Sequence, residues 1–411
     1  MKLLFRGAFA LTVLLLSACA TQTSKTAAKN AYSPLILISI DGFRADYFDR
    51  GLTPNLKALA DGGVHAKAMR PSFPSLTFPN HYTLVTGLYP DHHGIVNNTM
   101  IDAKLGKFTI KNSAKASDAW WDGAEPIWVT ADKQGLRTAT MFWPGSDKEI
   151  RGHRPDEYRV FDGKVTPDQR VDQVLAWLDL PADRRPQFLT LYFDSVDHAG
   201  HDFGPDSPEV NDALRRIDAA IGRLVAELEK RHLAEDANLV IVADHGMTAV
   251  SSSRDEILDQ FIPLDHVELI TAGVLTGLNP KPGYEAEIEK GLLGEHAHFQ
   301  CWRKSEIPAR LHYGANPRVP AIVCVAEDGW QLETQSYLNR ANAKTLGGEH
   351  GYDNADPNMR ALFIAHGPAF QRGAVLPEFD NVDVYPLLTK VLGITPQPND
   401  GSLDAVRAAL R

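Results

Sequence analysis

Acidic and histidine side chains follow three short apolar runs of this chain. The residues are Asp41 after LILISI, Asp197 and His201 beyond FLTLYFD, and Asp244 and His245 after LVIVA. Carboxylates and imidazoles in this proportion suit zinc or another borderline first-row divalent ion. Two neighbouring ions can stabilise both the attacking and the leaving oxygen of a displacement at phosphorus. The pattern therefore predicts a two-metal centre.

Two further residues complete the candidate centre. His350 lies in the glycine-rich segment GGEHG, and Thr77 lies two residues before a proline at the start of a helix-compatible run. Backbone N–H groups and the dipole at a helix N-terminus favour a negatively charged oxygen. A bound metal would also lower the pKa of the hydroxyl. We therefore predict that Thr77 contacts a metal and acts as the nucleophile.

Each of these residues also has a purely structural interpretation. An Asp–Gly pair after a strand often begins a turn, an Asp–His pair four residues apart usually lies on a solvated helix face, and Thr77 could be an N-cap. Their co-occurrence favours the metal centre, because charges at the ends of buried strands are costly without partners. We interpret the histidines without such a setting as structural or surface residues: His81, His92, His93, His153, His198 and His266.

The elements that must position these side chains alternate between strands and helices. Apolar runs predict core strands at 35–40, 137–142, 188–194, 239–243 and 361–365, and helical periodicity predicts helices at 54–62, 77–87, 127–134, 167–178 and 207–232. This alternation predicts an α/β fold with a mainly parallel sheet covered by helices on both faces. Ligands of such sheets collect beyond the carboxyl ends of the strands, where the three acids stand.

The composition is ordinary for a soluble globular protein. The 411 residues are 44% hydrophobic and 23% charged, with a formal net charge of -10. A negative chain is unsuited to coating nucleic acid. It does not exclude a phosphate substrate, because two bound metal ions create a local positive field.

The N-terminus predicts export. Residues 1–18 combine a basic start with a short apolar segment, and LSAC ending at Cys19 matches a bacterial lipobox. We expect a lipoprotein signal peptide at 1–18, lipidation of Cys19, a flexible tether at 19–32 and a membrane-anchored periplasmic protein. A plain signal peptide cut after the Ala-x-Ala-like site Ala18-Cys19-Ala20 is the alternative. Cys301 and Cys324 could form a disulfide or be two separate buried thiols.

Five motifs in a fixed order resemble the nucleotide pyrophosphatase/phosphodiesterase family of the alkaline phosphatase superfamily, as a bacterial member. The resemblance runs from about residue 35 to the C-terminus. It rests on ISIDGFR (38–44), PSLTFPNHYTLVTGLYPDHHGIVNN (74–98), DSVDHAGHDFGP (194–205), VADHGM (242–247) and GGEHGYDN (347–354). It implies an alkaline-phosphatase-like catalytic domain at 33–411 with a smaller inserted lobe at about 256–345.

The resemblance also implies a cofactor and roles for individual residues. Two zinc ions per subunit would be held by Asp197, His201 and His350 and by Asp41, Asp244 and His245. Thr77 would contact the second ion and form a covalent intermediate, and Asn98 would donate to a phosphate oxygen. Phe78 and Phe161, the latter where the family often has tyrosine, would stack on a nucleobase, and Tyr192 is a further substrate-binding candidate.

The implied activity is hydrolysis of nucleotide phosphodiester or pyrophosphate bonds, which releases a nucleoside monophosphate. Two other activities stay open. A phosphomonoesterase or a choline-phosphate phosphodiesterase could use the same metal site, because metals and threonine set the chemistry but not the leaving group. A non-catalytic lipoprotein that binds metal or another ligand is a more remote alternative.

Overall fold

A computed structural model describes residues 32–340 and 346–411, and Ser33–Arg411 form one compact unit. The signal peptide predicted at 1–18 and all but the last residue of the tether predicted at 19–32 lie outside the described residues. No helix in the described part of the chain is both long and apolar enough to cross a membrane.

The strands of the described ranges are short and spread over the whole chain. In chain order they are β1 (Leu35–Ile40), β2 (Val64–Ala66), β3 (Met69–Arg70), β4 (Thr99–Asp102), β5 (Gly106–Thr109), β6 (Thr138–Met141), β7 (Glu157–Arg159), β8 (Phe188–Phe193), β9 (Asn238–Val242), β10 (Thr248–Ser251), β11 (Asp255–Ile257), β12 (Val267–Thr271), β13 (Leu275–Pro280), β14 (Gly294–Glu295), β15 (Phe299–Arg303), β16 (Ile322–Ala326), β17 (Gln331–Glu333), β18 (Leu346–Glu349), β19 (Phe363–His366), β20 (Ala374–Leu376) and β21 (Phe379–Asp380).

Along the chain, most α-helices alternate with the strands of the central sheet. In chain order they are α1 (Pro54–Gly62), α2 (Thr77–Thr86), α3 (Pro90–His93), α4 (Ile127–Lys133), α5 (Pro167–Leu178), α6 (Ser195–Phe203), α7 (Pro208–Lys230), α8 (Glu285–Leu292), α9 (Gln335–Leu338), α10 (Val384–Leu392) and α11 (Leu403–Val406).

The central sheet is mainly parallel. Within the two described ranges it has eight strands in the order β20-β2-β19-β9-β1-β8-β6-β7. β1 pairs in parallel with both β8 and β9, whereas β19 runs antiparallel to its neighbours β9 and β2. All six residues of β1 are buried, so both faces of this strand are covered. α1, α5 and α7 pack together in one helical group, and α2 packs with α10 in another.

Local sequence signals explain where several helices begin. Thr166 and Gln169 form a reciprocal capping box ahead of α5, with proline at the first helical position. Ser207 accepts a hydrogen bond from the backbone N–H of Val210 at the start of α7. The predicted bounds of α1 and α5 match the observed ones, and α7 is shorter than its predicted range by one residue at the start and two at the end.

A smaller lobe interrupts the alternation of strands and helices. Where the structure describes it, this lobe has a five-stranded antiparallel sheet in the order β12-β13-β16-β15-β14. Its core packs Leu258, Leu278 and Ile288 around a disulfide between Cys301 and Cys324, which face each other on β15 and β16. Of the two alternatives for these cysteines, the structure therefore has the disulfide.

Candidate metal centre

The order of three strands brings the predicted acids together. β9, β1 and β8 are adjacent and parallel, so their carboxyl ends meet at one edge of the sheet. Asp41 comes directly after β1, and Asp244 comes two residues after β9. Asp197 lies in the first turn of α6, which follows β8. All three carboxylates are buried.

A two-stranded antiparallel ribbon delivers the distant histidine. β10 starts just after the segment of Asp244, and its Thr248 pairs with Glu349 of β18. His350 is the next residue, so the ribbon places it beside the strand ends although it lies more than 100 positions after Asp244 in the chain. Gly348 permits the approach, since a Cβ there would lie 2.6 Å from the carbonyl oxygen of Gly200 on α6.

The first ligand group consists of Asp197, His201 and His350. His201 Nε2 lies 3.4 Å from Asp197 Oδ1, and His350 Nε2 lies 3.6 Å from the same oxygen. The two Nε2 atoms are 3.2 Å apart. One ligand atom from each residue therefore points at a common position, as a metal site requires.

The second ligand group surrounds His245. Its Nε2 lies 3.4 Å from Asp41 Oδ1 and 3.0 Å from Asp244 Oδ2. The hydroxyl of Thr77 is 3.2 Å from the same nitrogen. The imidazole rings of His245 and His350 stack with centroids 3.5 Å apart, so the two groups adjoin.

The ligand histidines share one hydrogen-bond pattern. In each, Nδ1 faces a backbone carbonyl at 2.9 Å, from Gly348 for His201, from Gly246 for His245 and from Ser75 for His350. A carbonyl only accepts, so Nδ1 carries a proton and Nε2 is the ring nitrogen that faces the centre. This arrangement is typical of metal-binding histidines.

Charge at the centre is unbalanced without cations. Asp41 Oδ1, Asp197 Oδ1 and Asp244 Oδ2 are buried and have no hydrogen-bond partner within the described residues. Buried carboxylate oxygens are costly unless they are paired or bind metal. The donor set of three carboxylates and three imidazoles, with an adjacent hydroxyl, fits two zinc-class ions.

The pKa shifts reflect this crowding. Burial and the carboxylates of Asp244 and Asp197 raise the pKa of Asp41 well above its usual range. Burial opposes the charge of Asp244 as well, but the imidazoles of His245 and His81 hold its pKa well below the usual range. Burial disfavours charged His201, yet Asp197 and Glu349 raise its pKa to about 10. Each shift follows from neighbouring charge in a buried site.

Thr77 is a helical residue and not the N-cap. α2 begins at Thr77 with Leu76 in the cap position. The Thr77 side chain faces His245 instead of capping a backbone N–H. Asn98 satisfies the next donor, because its Oδ1 accepts from the backbone N–H of Phe78 at 2.9 Å. The hydroxyl thus lies at a helix N-terminus and beside His245 of the second ligand group.

The structure corrects the interpretation of His81. We interpreted it as a structural or surface residue; it is fully buried, and its Nδ1 lies 3.2 Å from Asp244 Oδ2 and 2.9 Å from the carbonyl of Thr77. Its Nε2 lies 2.8 Å from the hydroxyl of Ser39. Both ring nitrogens therefore have partners, which suits a residue that orients Asp244 more than a ligand. Its spacing of four residues from Thr77 places His81 on the same face of α2, but nothing in the local sequence points to Asp244.

A cavity of about 460 Å³ lies beside the centre. Small-molecule sites typically have roughly 300–1,000 Å³, so this cavity could hold a small organic group. Its lining includes the predicted substrate residues Phe78, Phe161 and Tyr192 together with Thr77. The Tyr192 hydroxyl donates to Asp41 Oδ2 at 2.6 Å. The sequence did not predict this contact with a candidate metal ligand. His198 lies at the same cavity with an exposed side chain, 3.9 Å from Asp194.

The sequence matches one protein family over most of its length. The model of the type I phosphodiesterase / nucleotide pyrophosphatase family matches residues 35–353. A pyrophosphatase/phosphodiesterase of Schizosaccharomyces pombe is 40% identical over 385 residues, which cover 90% of this chain and 79% of that protein. Human ectonucleotide pyrophosphatase/phosphodiesterase family member 1 is 39% identical over 92% of this chain and 42% of its own length. The chain thus spans less than half of that mammalian relative.

Solved structures agree with the family match. Murine ectonucleotide pyrophosphatase/phosphodiesterase 5 superposes with a TM-score of 0.87 at 34% identity, covering 92% of this chain and 100% of that one. The human protein of the same name covers the same shares at 35% identity. These matches confirm the predicted alkaline-phosphatase-like α/β fold. The chain belongs to the type I phosphodiesterase/nucleotide pyrophosphatase family of the alkaline phosphatase superfamily.

Proposed function

We propose that this protein hydrolyses nucleotide phosphodiester or pyrophosphate bonds and releases a nucleoside monophosphate. The observation that carries the proposal is the position of the Thr77 hydroxyl, at the N-terminus of α2 and 3.2 Å from His245 Nε2. The hydroxyl oxygen would attack phosphorus and form a Thr–O–P bond as the leaving oxygen departs. Water would then cleave that bond and restore the hydroxyl.

Two zinc ions per subunit are the proposed cofactor. Asp197, His201 and His350 would hold one ion, and the other would be held by Asp41, Asp244 and His245 together with Thr77. When bound, such ions supply positive charge that stabilises the attacking and leaving oxygens. Asn98 would add a donor, because its Oδ1 is taken by the Phe78 amide and its NH2 group remains for a phosphate oxygen.

The cavity beside the centre suits a nucleoside. Phe78 and Phe161 both line it, and the Phe161 side chain is 53% exposed. A base between two aromatic faces would gain roughly 1–3 kcal/mol by stacking. An inactive threonine-to-alanine variant of murine ectonucleotide pyrophosphatase/phosphodiesterase 5, at the same 34% identity, has been solved in complex with AMP. That neighbour supports a nucleotide as the substrate class.

A comparison of three chromogenic esters tests the proposed function. The nitrophenyl ester of thymidine 5′-monophosphate should be hydrolysed with a much higher kcat/KM than nitrophenyl phosphate. Chelation should abolish turnover, and added zinc should restore it, because both ligand groups consist of metal-binding side chains. A preference for nitrophenyl phosphate would favour the phosphomonoesterase alternative, and preference for nitrophenyl phosphocholine would favour the choline-phosphate phosphodiesterase. Zinc-loaded protein inactive on all three esters would favour a binding role.

We also propose that the protein is a periplasmic lipoprotein of a bacterium, anchored through Cys19. The support is the LSAC segment after a short apolar stretch. Each buried acyl methylene adds about 0.8 kcal/mol of membrane affinity, so several chains would hold the protein firmly. Cys19→Ser should release the protein from membranes or leave its signal peptide uncut. Soluble wild-type protein with an unmodified N-terminus would contradict the proposal.

A further inference from the structure

A fully buried arginine lies behind the nucleoside-sized cavity. Arg170 is in the first turns of α5 and is only 2% exposed. Its guanidinium donates to the carbonyl oxygens of Val165 at 3.0 Å and Tyr192 at 2.9 Å. The third contact is an ion pair with Asp194 at 2.9 Å. These partners belong to two different segments, so Arg170 joins the loop before α5 to the end of β8.

The loop that Arg170 holds carries Phe161. The guanidinium carbon of Arg170 lies 5.9 Å from the Phe161 ring centre and 5.1 Å from that of Phe142. The two phenylalanine rings contact edge to face at 5.2 Å. Asp194 also approaches the loop, since a Cβ on Gly163 would lie 3.8 Å from its Oδ2. The exposed Phe161 ring thus packs against two buried side chains, those of Arg170 and Phe142.

The geometry of these contacts requires arginine. A planar guanidinium donates in several fixed directions and can stack on rings, whereas a lysine ammonium is a single compact charge. Lysine at 170 would keep a positive charge for Asp194 but could not hold both carbonyls and face both rings. The loop of Phe161 would lose its fixed position. Tyr192 and its contact with Asp41 would keep theirs, because β8 is paired with β1 on one side and β6 on the other.

We propose that Arg170 is a positioning residue for nucleoside specificity, which acts by fixing Phe161 against the base. This inference rests on the proposed function, because it assigns Phe161 a base to contact. Under this proposal, different residues bind the two parts of a substrate. The phosphate is handled at the metal centre, and the nucleoside is handled by a ring whose position depends on Arg170.

The experiment compares a nucleoside ester with an ester that has no base. For nitrophenyl thymidine 5′-monophosphate, Arg170→Lys should raise KM about tenfold, the scale of one lost stacking contact, and leave kcat within about twofold. For nitrophenyl methyl phosphate, which has no aromatic group in the position of the nucleoside, KM and kcat should both stay close to wild type. Phe161→Ala should reproduce this pattern. The double variant should lose no more than Phe161→Ala alone, because one residue acts through the other.

The controls separate this role from a general effect on stability. Arg231→Lys changes a surface arginine paired with Asp179 and Glu227 and should leave both substrates unaffected. Should Arg170→Lys fail to fold, Asp194→Asn weakens the same ion pair and should give the same selective rise in KM. Equal losses on both esters, or additive losses in the double variant, would overturn the role of Arg170. A wild type with no preference for the nucleoside ester would contradict the proposed function itself.

Discussion

At the scale of single residues, the centre combines ligand atoms that face inward with supports that hold them. The ligand histidines each direct Nδ1 to a backbone carbonyl, and Tyr192 and His81 contact Asp41 and Asp244. These supports decide the orientation of the ligands and thereby the affinity for metal. We therefore expect that substitutions of residues that contact the metal ligands also affect activity.

Tyr192→Phe tests such a support. The change removes the hydrogen bond to Asp41 Oδ2 and keeps the ring at the cavity. Loss of an outer-shell partner typically costs about 10- to 100-fold in metal affinity or activity. We expect weaker zinc retention in a chelator titration and a lower kcat with limiting zinc.

The matched control is Tyr158→Phe. Among the described side-chain contacts, the hydroxyl of Tyr158 accepts a hydrogen bond only from Arg154, an arginine at the surface. This variant should titrate like wild type. If Tyr192→Phe also keeps its zinc and its kcat, the hydroxyl contact does not support Asp41.

The sequence predicted that acidic side chains meet at the strand ends, but it did not predict the side chains that support them. Asp41, Asp197 and Asp244 follow apolar runs, and the structure brings all three together. By contrast, Tyr192 on a core strand looks like packing or a stacking residue until its partner is known. His81 shows why: a contact with Asp244, more than 160 positions away, leaves no local pattern.

At the scale of elements, short strands with glycine position the most distant ligand. β10 and β18 have four residues each, and β18 contains two glycines. A strand of this length has too little periodicity to be predicted. Long elements are different, since the predicted bounds of α1 and α5 agree with the observed helices. The reversed direction of β19 also could not be predicted, because strand order depends on the whole fold.

Gly348→Ala tests the role of the ribbon. The new methyl group would lie 2.6 Å from the Gly200 carbonyl oxygen and 3.0 Å from Met247 atoms, so β18 must shift away from α6. His350 follows two residues later and would shift with it. We expect loss of about half the bound zinc, measured by elemental analysis, and a large loss of turnover. Full zinc content and activity would show that the ribbon does not set the position of His350.

At the scale of the whole molecule, the inserted lobe has its own hydrophobic core and a buried carboxyl group, that of Glu333. Burial and the neighbouring Asp255 raise the pKa of Glu333 on β17 to about 7, from a usual value of 4.5. A carboxyl with a raised pKa favours the folded state when protonated. Its contribution is complete below about 4.5 and is lost as the pH rises through about 7.

Glu333→Gln should therefore flatten the pH dependence of stability. In wild type we expect the free energy of unfolding to fall between about pH 5 and pH 8 on account of this group, measured by denaturant titration at each pH. The amide variant should lose that part of the slope. Glu295→Gln, at an exposed position of the lobe, is the control and should keep it. An unchanged slope in Glu333→Gln would contradict the raised pKa.

The sheet, the lobe and the centre together agree with the family to which the chain belongs. The sequence predicted the fold because its motifs mark the ends of the three central strands, while the path of the lobe became clear only in the structure. The central claim is that Thr77 is the nucleophile of this centre. Its hydroxyl makes no capping contact, so replacing it should affect the chemistry and not the fold.

The most direct test is the turnover of zinc-loaded Thr77→Ala on nitrophenyl thymidine 5′-monophosphate, beside Thr77→Ser. We expect that Thr77→Ala folds, keeps its zinc and loses turnover by a factor on the order of 10³ or more, because it lacks the nucleophile. Thr77→Ser retains a hydroxyl and should stay measurably active. A folded, zinc-loaded Thr77→Ala that hydrolyses the ester at close to the wild-type rate would show that Thr77 is not the nucleophile.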